Sequence, residues 1–196
     1  MVLAGGGGLR LGADKTVETV GDRSLLEWVL PQLDFLGSDI LLVTARELSC
    51  PRFEGYSRLK VVTDIYPGKG PLGGIYTGLE LSHSFYNMVV ACDMPFLNRA
   101  LLGYMVDISA AYDLVVPRFD GLLEPLHAVY SKACLAPIEH LLGRGILGVR
   151  ELFHLVRVRY VEAEEIDRFD PEHLSFFNIN TRSDLARARG LMRVTV

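Results

Sequence analysis

Cysteine is scarce in this chain of 196 residues: it has three, Cys50, Cys92 and Cys134. Their odd number and wide spacing exclude both a disulfide framework and a zinc pattern. No apolar run is long enough to span a membrane, and no basic leader precedes an apolar signal core. Positive charge is not in excess either, since 20 Lys and Arg stand against 24 Asp and Glu, a net charge of −4. That argues against a general nucleic-acid binder, which carries a basic stripe. Five histidines are scattered along the chain, and none forms a recognisable pair with a nucleophile. The hydrophobic fraction of 49% is that of a folded chain rather than a disordered one. Together these features predict a cytoplasmic protein folded as one domain over residues 1–196, with no membrane and no nucleic-acid partner.

What is present alternates. Apolar, β-branched runs read as buried strands: MVLA, DILLVTA, LKVVTD, NMVVACD, YDLVVPR, LHAVYS and VRVRYV. Helical spacing appears between them, from Ser24 to Phe35, from Gly74 to Leu81 and from Ala133 to Leu142. Strands alternating with helices predict an α/β fold around a mostly parallel sheet. From Arg118 to Tyr160 the rhythm loosens, which leaves room for antiparallel pairing or an inserted subdomain. In such sheets ligands sit beyond the carboxyl ends of the strands. The glycines follow the first strand, Asp64 ends the third and Asp93 the fourth, so three promising positions converge on one edge.

The opening stretch MVLAGGGGLRLGADK gives up side chains at four adjacent positions. Glycine lets a ligand approach the main chain, and successive N–H groups make a concave anion site. Two familiar nucleotide loops are nevertheless missing. A Walker A loop ends in Gly-Lys-Ser/Thr, whereas Gly12 is separated from Lys15 by Ala13 and Asp14. The fingerprint G-x-G-x-x-G, started at Gly5 or Gly6, ends on Arg10 or Leu11.

The stretch LAGGGGLRLGADK resembles the signature of the molybdenum cofactor guanylyltransferase family, roughly L-A-G-G-x-S-x-R-M-G-x-D-K. PGKGPLGGIYTGL, VVACDMPFL, EPLHAVY and FFNINTRSDL are similar to that family's later landmarks, in the same order and across nearly the whole chain. Gly8 replaces a usual serine, Leu11 a usual methionine, and TARE stands where an asparagine often lies near the base. The resemblance implies a Rossmann-like, three-layer nucleotidyltransferase fold. It also implies transfer of GMP from GTP to the terminal phosphate of Mo-molybdopterin, with release of pyrophosphate. The alternatives are a cytidylyltransferase or sugar-phosphate nucleotidyltransferase of the same fold, and a non-catalytic GTP-binding protein.

The chemistry accounts for the missing nucleophile and base. A phosphate oxygen is already anionic near neutral pH, so positioning and charge neutralisation suffice. Arg10 offers a planar fork and Lys15 a point charge for phosphate. Asp93, at the end of a buried strand, needs a partner, and Mg²⁺ suits a site of a carboxylate plus phosphates. By resemblance Arg10, Lys15 and Asp93 are catalytic, and Asp93 is the metal ligand. Leu3, Ala4, Gly5, Gly6, Lys15, Asp64 and Asp93 bind the nucleotide, with Asp64 at the guanine or, on a purely structural view, starting a turn. Asn178 and Asn180 alternate on an extended segment and so share a side. The resemblance assigns them to the pterin. Glu124 helps shape that end of the cleft, and His127 is structural. Thr181 with Asp184 starts a helix. Handover of a labile product predicts molybdoenzymes or their chaperones as partners.

Overall fold

In a computed structural model the described residues are 1–4, 19–45 and 56–192. The seven runs read as strands all form strands: β1 (Val2–Ala4), β4 (Ile40–Thr44), β5 (Leu59–Thr63), β6 (Tyr86–Ala91), β7 (Leu114–Phe119), β9 (His127–Ser131) and β10 (Val158–Glu162). With the short β8 (Leu122–Leu123), paired to β7, they make one eight-stranded sheet in the order β10-β7-β9-β6-β1-β4-β5. The pairs β5–β4, β4–β1, β1–β6 and β7–β10 are parallel. Strand β9 runs against both its neighbours, β6 and β7. The loosened rhythm after Arg118 therefore corresponds to antiparallel pairing within the same sheet: β7 turns into β8, and β9 returns beside β6.

Period-two alternation sorts the strand side chains onto two faces. One core unites Val2, Leu42, Val90, Val115 and Val129 with α1 (Leu25–Leu33), α3 (Arg99–Asp107) and α5 (Ala163–Ile166). The other unites Leu3, Val43, Val89, Leu114 and Ala128 with α2 (Gly70–Leu81) and α4 (Leu135–Gly143). This is a three-layer α/β/α arrangement. A third, smaller cluster joins α6 (Arg182–Met192) to the hairpin of β2 (Thr19–Val20) and β3 (Arg23–Ser24) through Val20, Leu25, Ile179, Leu185 and Ala188. No helix among the described residues is long and apolar enough to cross a membrane.

Local sequence explains the helix ends. Ser24 and Glu27 form a reciprocal capping box at α1. That helix then tightens into a 3₁₀ turn over Asp34–Leu36, closed by left-handed Gly37. Helix α2 begins at Gly70, four residues before the spacing suggests, because its glycines serve packing rather than a turn. A Cβ at Gly74 would sit 3.5 Å from the Leu3 side chain, so α2 lies close upon β1. Helix α3 follows Asp93, but Asp93 is not its cap. Asn98 caps it, accepting from the N–H groups of Ala100 and Leu101 at 2.9 and 3.1 Å.

A Cβ at Gly73 would meet the Tyr66 carbonyl oxygen at 2.8 Å and the Tyr66 Cβ at 3.1 Å. Gly73→Ala gains about 1 kcal/mol of helix propensity but incurs overpacking of about 1–3 kcal/mol against backbone. The net expectation is a melting temperature lower by a few degrees, about 2–4 °C per kcal/mol for a chain of this size. A thermal scan showing a higher value would mean that the 64–69 loop moves freely.

Candidate nucleotide-binding edge of the sheet

The carboxyl ends of β1, β4, β5 and β6 point the same way, and the topology reverses between β1 and β6. This is the position at which open α/β sheets bind ligands. Leu3 is buried beneath α2, and its carbonyl accepts the Cys92 N–H at 3.1 Å, which locks the end of β1 to the end of β6. Ala4 pairs with Thr44. Gly5, Gly6, Arg10 and Lys15 lie outside the described residues. The chain is described again from Thr19, where Val20 is fully buried against Ile179 and α6.

Asp93 lies two residues beyond β6 and is only 8% exposed. It does not cap the following helix, since Asn98 takes that role. Its carbonyl accepts the Ile179 N–H at 2.9 Å. That bond joins Asn178 and Asn180 to the same edge: Ile179 is fully buried, and its two neighbours flank it, Asn178 half-buried and Asn180 exposed. The Asn178 amide donates back to the Phe176 carbonyl at 3.1 Å. Beyond Asn180, the Thr181 hydroxyl accepts from the Asp184 N–H at 3.1 Å, while the Asp184 carboxylate accepts from the Thr181 and Asn180 N–H groups at 2.8 and 3.0 Å. These donors hold the Asp184 carboxyl below its ordinary pKa. The T-x-x-D pattern is a helix start.

Asp64 follows β5, and its N–H donates to the Thr44 carbonyl at 2.8 Å. Its Oδ1 accepts from the Tyr66 N–H at 2.9 Å and from the Thr77 hydroxyl at 2.7 Å. Thr77 in turn accepts the Ile65 N–H at 3.0 Å, which ties the 64–69 loop to α2. The turn-starting role is therefore real. It uses both lone-pair positions of Oδ1 and leaves Oδ2 for a ligand. A two-oxygen grip on one guanine edge does not fit that arrangement, whereas a single contact does.

Among the described residues no group of three or more His, Cys, Asp or Glu could hold a metal ion by itself. His127 is fully buried with its ring 4.8 Å from that of Phe176, and burial pushes its pKa down to about 3. It is a neutral packing residue at physiological pH. Cys92 and Cys134 are buried, and burial pushes the Cys134 thiol up to about 12, the mark of an inert packing residue.

Sequence reasoning left two features of this edge unseen. Leu126, whose carbonyl accepts the Ala91 N–H at 3.1 Å, brings the EPLHAVY segment alongside Asp93. Thr77 locks Asp64. The first pairing depends on strand order, which leaves no local signal; the second was hidden inside a glycine-rich motif.

Comparison with known proteins gives a consistent picture. Residues 1–162 match the MobA-like NTP transferase domain family. A probable molybdenum cofactor guanylyltransferase of Pelotomaculum thermopropionicum is 38% identical over 189 residues, covering 96% of this chain and 90% of that protein. A molybdenum cofactor guanylyltransferase of Desulfosudis oleivorans is 31% identical over 195 residues, covering 98% and 95%. The crystal structure of molybdopterin-guanine dinucleotide biosynthesis protein A from Archaeoglobus fulgidus superposes with a TM-score of 0.84 at 30% identity, over 98% of this chain and 97% of that one.

Proposed function

The chain belongs to the MobA-like NTP transferase family, and from that premise we propose that it is a molybdenum cofactor guanylyltransferase. An oxygen of the terminal phosphate of Mo-molybdopterin attacks the α-phosphorus of GTP. The new P–O bond forms as the bond to the β-phosphate oxygen breaks, and pyrophosphate leaves with the electron pair. No side chain has to remove a proton from the nucleophile, because a phosphate oxygen is already anionic near neutral pH. The observation that carries the assignment is the stitching of β1, β6 and the Asn178–Asn180 segment through Leu3, Cys92, Asp93 and Ile179. It brings the end of the first strand and the Asn178–Asn180 segment to one edge of the sheet.

Within that scheme Leu3, Ala4, Gly5 and Gly6 present backbone to the triphosphate, and Arg10 and Lys15 neutralise it. Asp64 contributes its remaining oxygen to the base, and Asn178 and Asn180 contact the pterin. Asp93 fits the part of the carboxylate that holds Mg²⁺, for it is buried just beyond the strand end, while Asn98 caps the helix that follows. When bound, Mg²⁺ supplies neutralisation of the phosphate charge. GTP is a cytoplasmic metabolite, so the cytoplasm is the expected setting, and a molybdoenzyme or its chaperone is the expected recipient of the labile product.

Titration calorimetry with GTP, CTP and ATP in Mg²⁺ is expected to show preference for GTP, followed by GMP transfer to Mo-molybdopterin in a turnover assay. Preference for CTP would move the protein to a cytidylyltransferase of the same fold. Tight GTP binding without any transfer would leave a nucleotide-binding protein that performs no chemistry.

A further inference from the structure

Three carboxylates that are buried or half-buried come with donors. Glu165 accepts from Arg159 and from the Tyr104 hydroxyl, and its pKa falls to about 2, the hydrogen bonds outweighing desolvation. Asp113 pairs with Arg157 at 3.1 Å, and buried Asp170 accepts the N–H groups of Leu174 and Ser175 at 3.2 and 2.8 Å. Glu124 is different. It is half-buried, yet among the described residues its carboxylate makes neither a hydrogen bond nor an ion pair. Burial pushes its pKa up, and the charge of Arg150 offsets this only from a distance.

Its backbone, by contrast, is firmly placed. The Glu124 N–H donates to the Pro117 carbonyl at 3.2 Å, and its own carbonyl accepts the His127 N–H at 3.0 Å. Leu126, two residues on, is bonded to Ala91 at the end of β6, just before Asp93. Phe119 and His127 bracket this hairpin, and the Phe176 ring packs on both, at 4.6 and 4.8 Å between ring centroids. Asn178 lies two residues beyond Phe176, and its amide donates to the Phe176 carbonyl at 3.1 Å. A half-buried carboxylate without a donor is unfavourable by itself, and two acceptor oxygens match a pair of adjacent N–H donors.

The geometry points to Glu124 as a specificity-determining residue for the second substrate: its carboxylate accepts the ring N–H and the exocyclic amine on the pyrimidinone edge of the pterin. This rests on the guanylyltransferase function proposed above. Asn178 and Asn180 are then joined by an ionic group in reading the pterin.

The test is steady-state GMP transfer to Mo-molybdopterin by Glu124→Gln and Glu124→Ala, with GTP binding measured by calorimetry on the same preparations. Loss of charge-assisted bonds to a ligand is expected to raise KM for Mo-molybdopterin about 10- to 100-fold, with kcat and the GTP Kd nearly unchanged. An unchanged KM for the pterin substrate in both variants overturns the inference. So does a parallel loss of GTP binding, which would mark Glu124 as structural. Arg150→Ala is the third arm: an equal rise in KM would mean that Glu124 acts through an ion pair with Arg150 rather than on the pterin. Absence of transfer by the unaltered protein would instead overturn the function on which the inference rests, and the two failures are therefore distinguishable.

Discussion

GMP transfer by an Asp93→Asn variant is expected to fall by about a thousandfold, the several kcal/mol that charge stabilisation by a metal-held phosphate supplies in the transition state. Asparagine keeps the size of the side chain and a carbonyl oxygen but removes the negative charge. The bond to Ile179 survives, because Asp93 makes it through its backbone carbonyl. The helix that follows is likewise independent of it, being capped by Asn98. A large loss of rate with little change in fold is therefore the expected pattern. Transfer rates read across a Mg²⁺ titration, beside a circular dichroism spectrum, check both halves. Activity within tenfold of the unaltered protein at every Mg²⁺ concentration would remove Asp93 from the metal site.

The second large effect is expected at Lys15. Its Met variant keeps the apolar stem and deletes the charge, and the rate is expected to drop by about two to three orders of magnitude, as for loss of one well-placed transition-state donor. Lys15→Arg is expected to recover only part of this. A planar fork that demands bidentate geometry does not reproduce a compact ammonium among crowded phosphate oxygens. The kinetic signature separates the two residues. If Lys15 stabilises charge that develops as pyrophosphate leaves, kcat and kcat/KM fall together, whereas loss of ground-state attraction raises KM alone. A variant that binds GTP more weakly but turns over at the normal maximal rate would assign Lys15 to binding only.

Much of this protein is legible along the chain because the relevant signals are local. Apolar runs of four to six residues, such as NMVVACD, become strands wherever they are placed in such a sheet. Leu25, Leu26, Val29, Leu30 and Leu33 bury one helical face as their spacing requires. Thr181 and Asp184 cap a helix with atoms from residues three apart. The glycines after β1, and the aspartates after β5 and β6, follow strand ends and are found by reading the strand ends. Where local cues misled, packing was the cause: PGKGPLGG looks like a loop, yet α2 starts within it, since Gly73 and Gly74 are needed for contact with Tyr66 and Leu3.

The sequence by itself determined the α/β class, the strand segments and the candidate residues, because periodicity, capping and strand-end position depend on neighbours a few residues away. Only the tertiary structure decided that β9 runs backwards between β6 and β7, and that Leu3, Cys92, Asp93 and Ile179 are bonded into one floor. It alone shows one oxygen of Asp64 already occupied by Tyr66 and Thr77, and the Glu124 carboxylate set without a donor among the described residues. The reason is physical. Whether a polar atom is satisfied depends on groups brought together from as far as 89 residues apart, as from Leu3 to Cys92, and no window of the chain contains both partners.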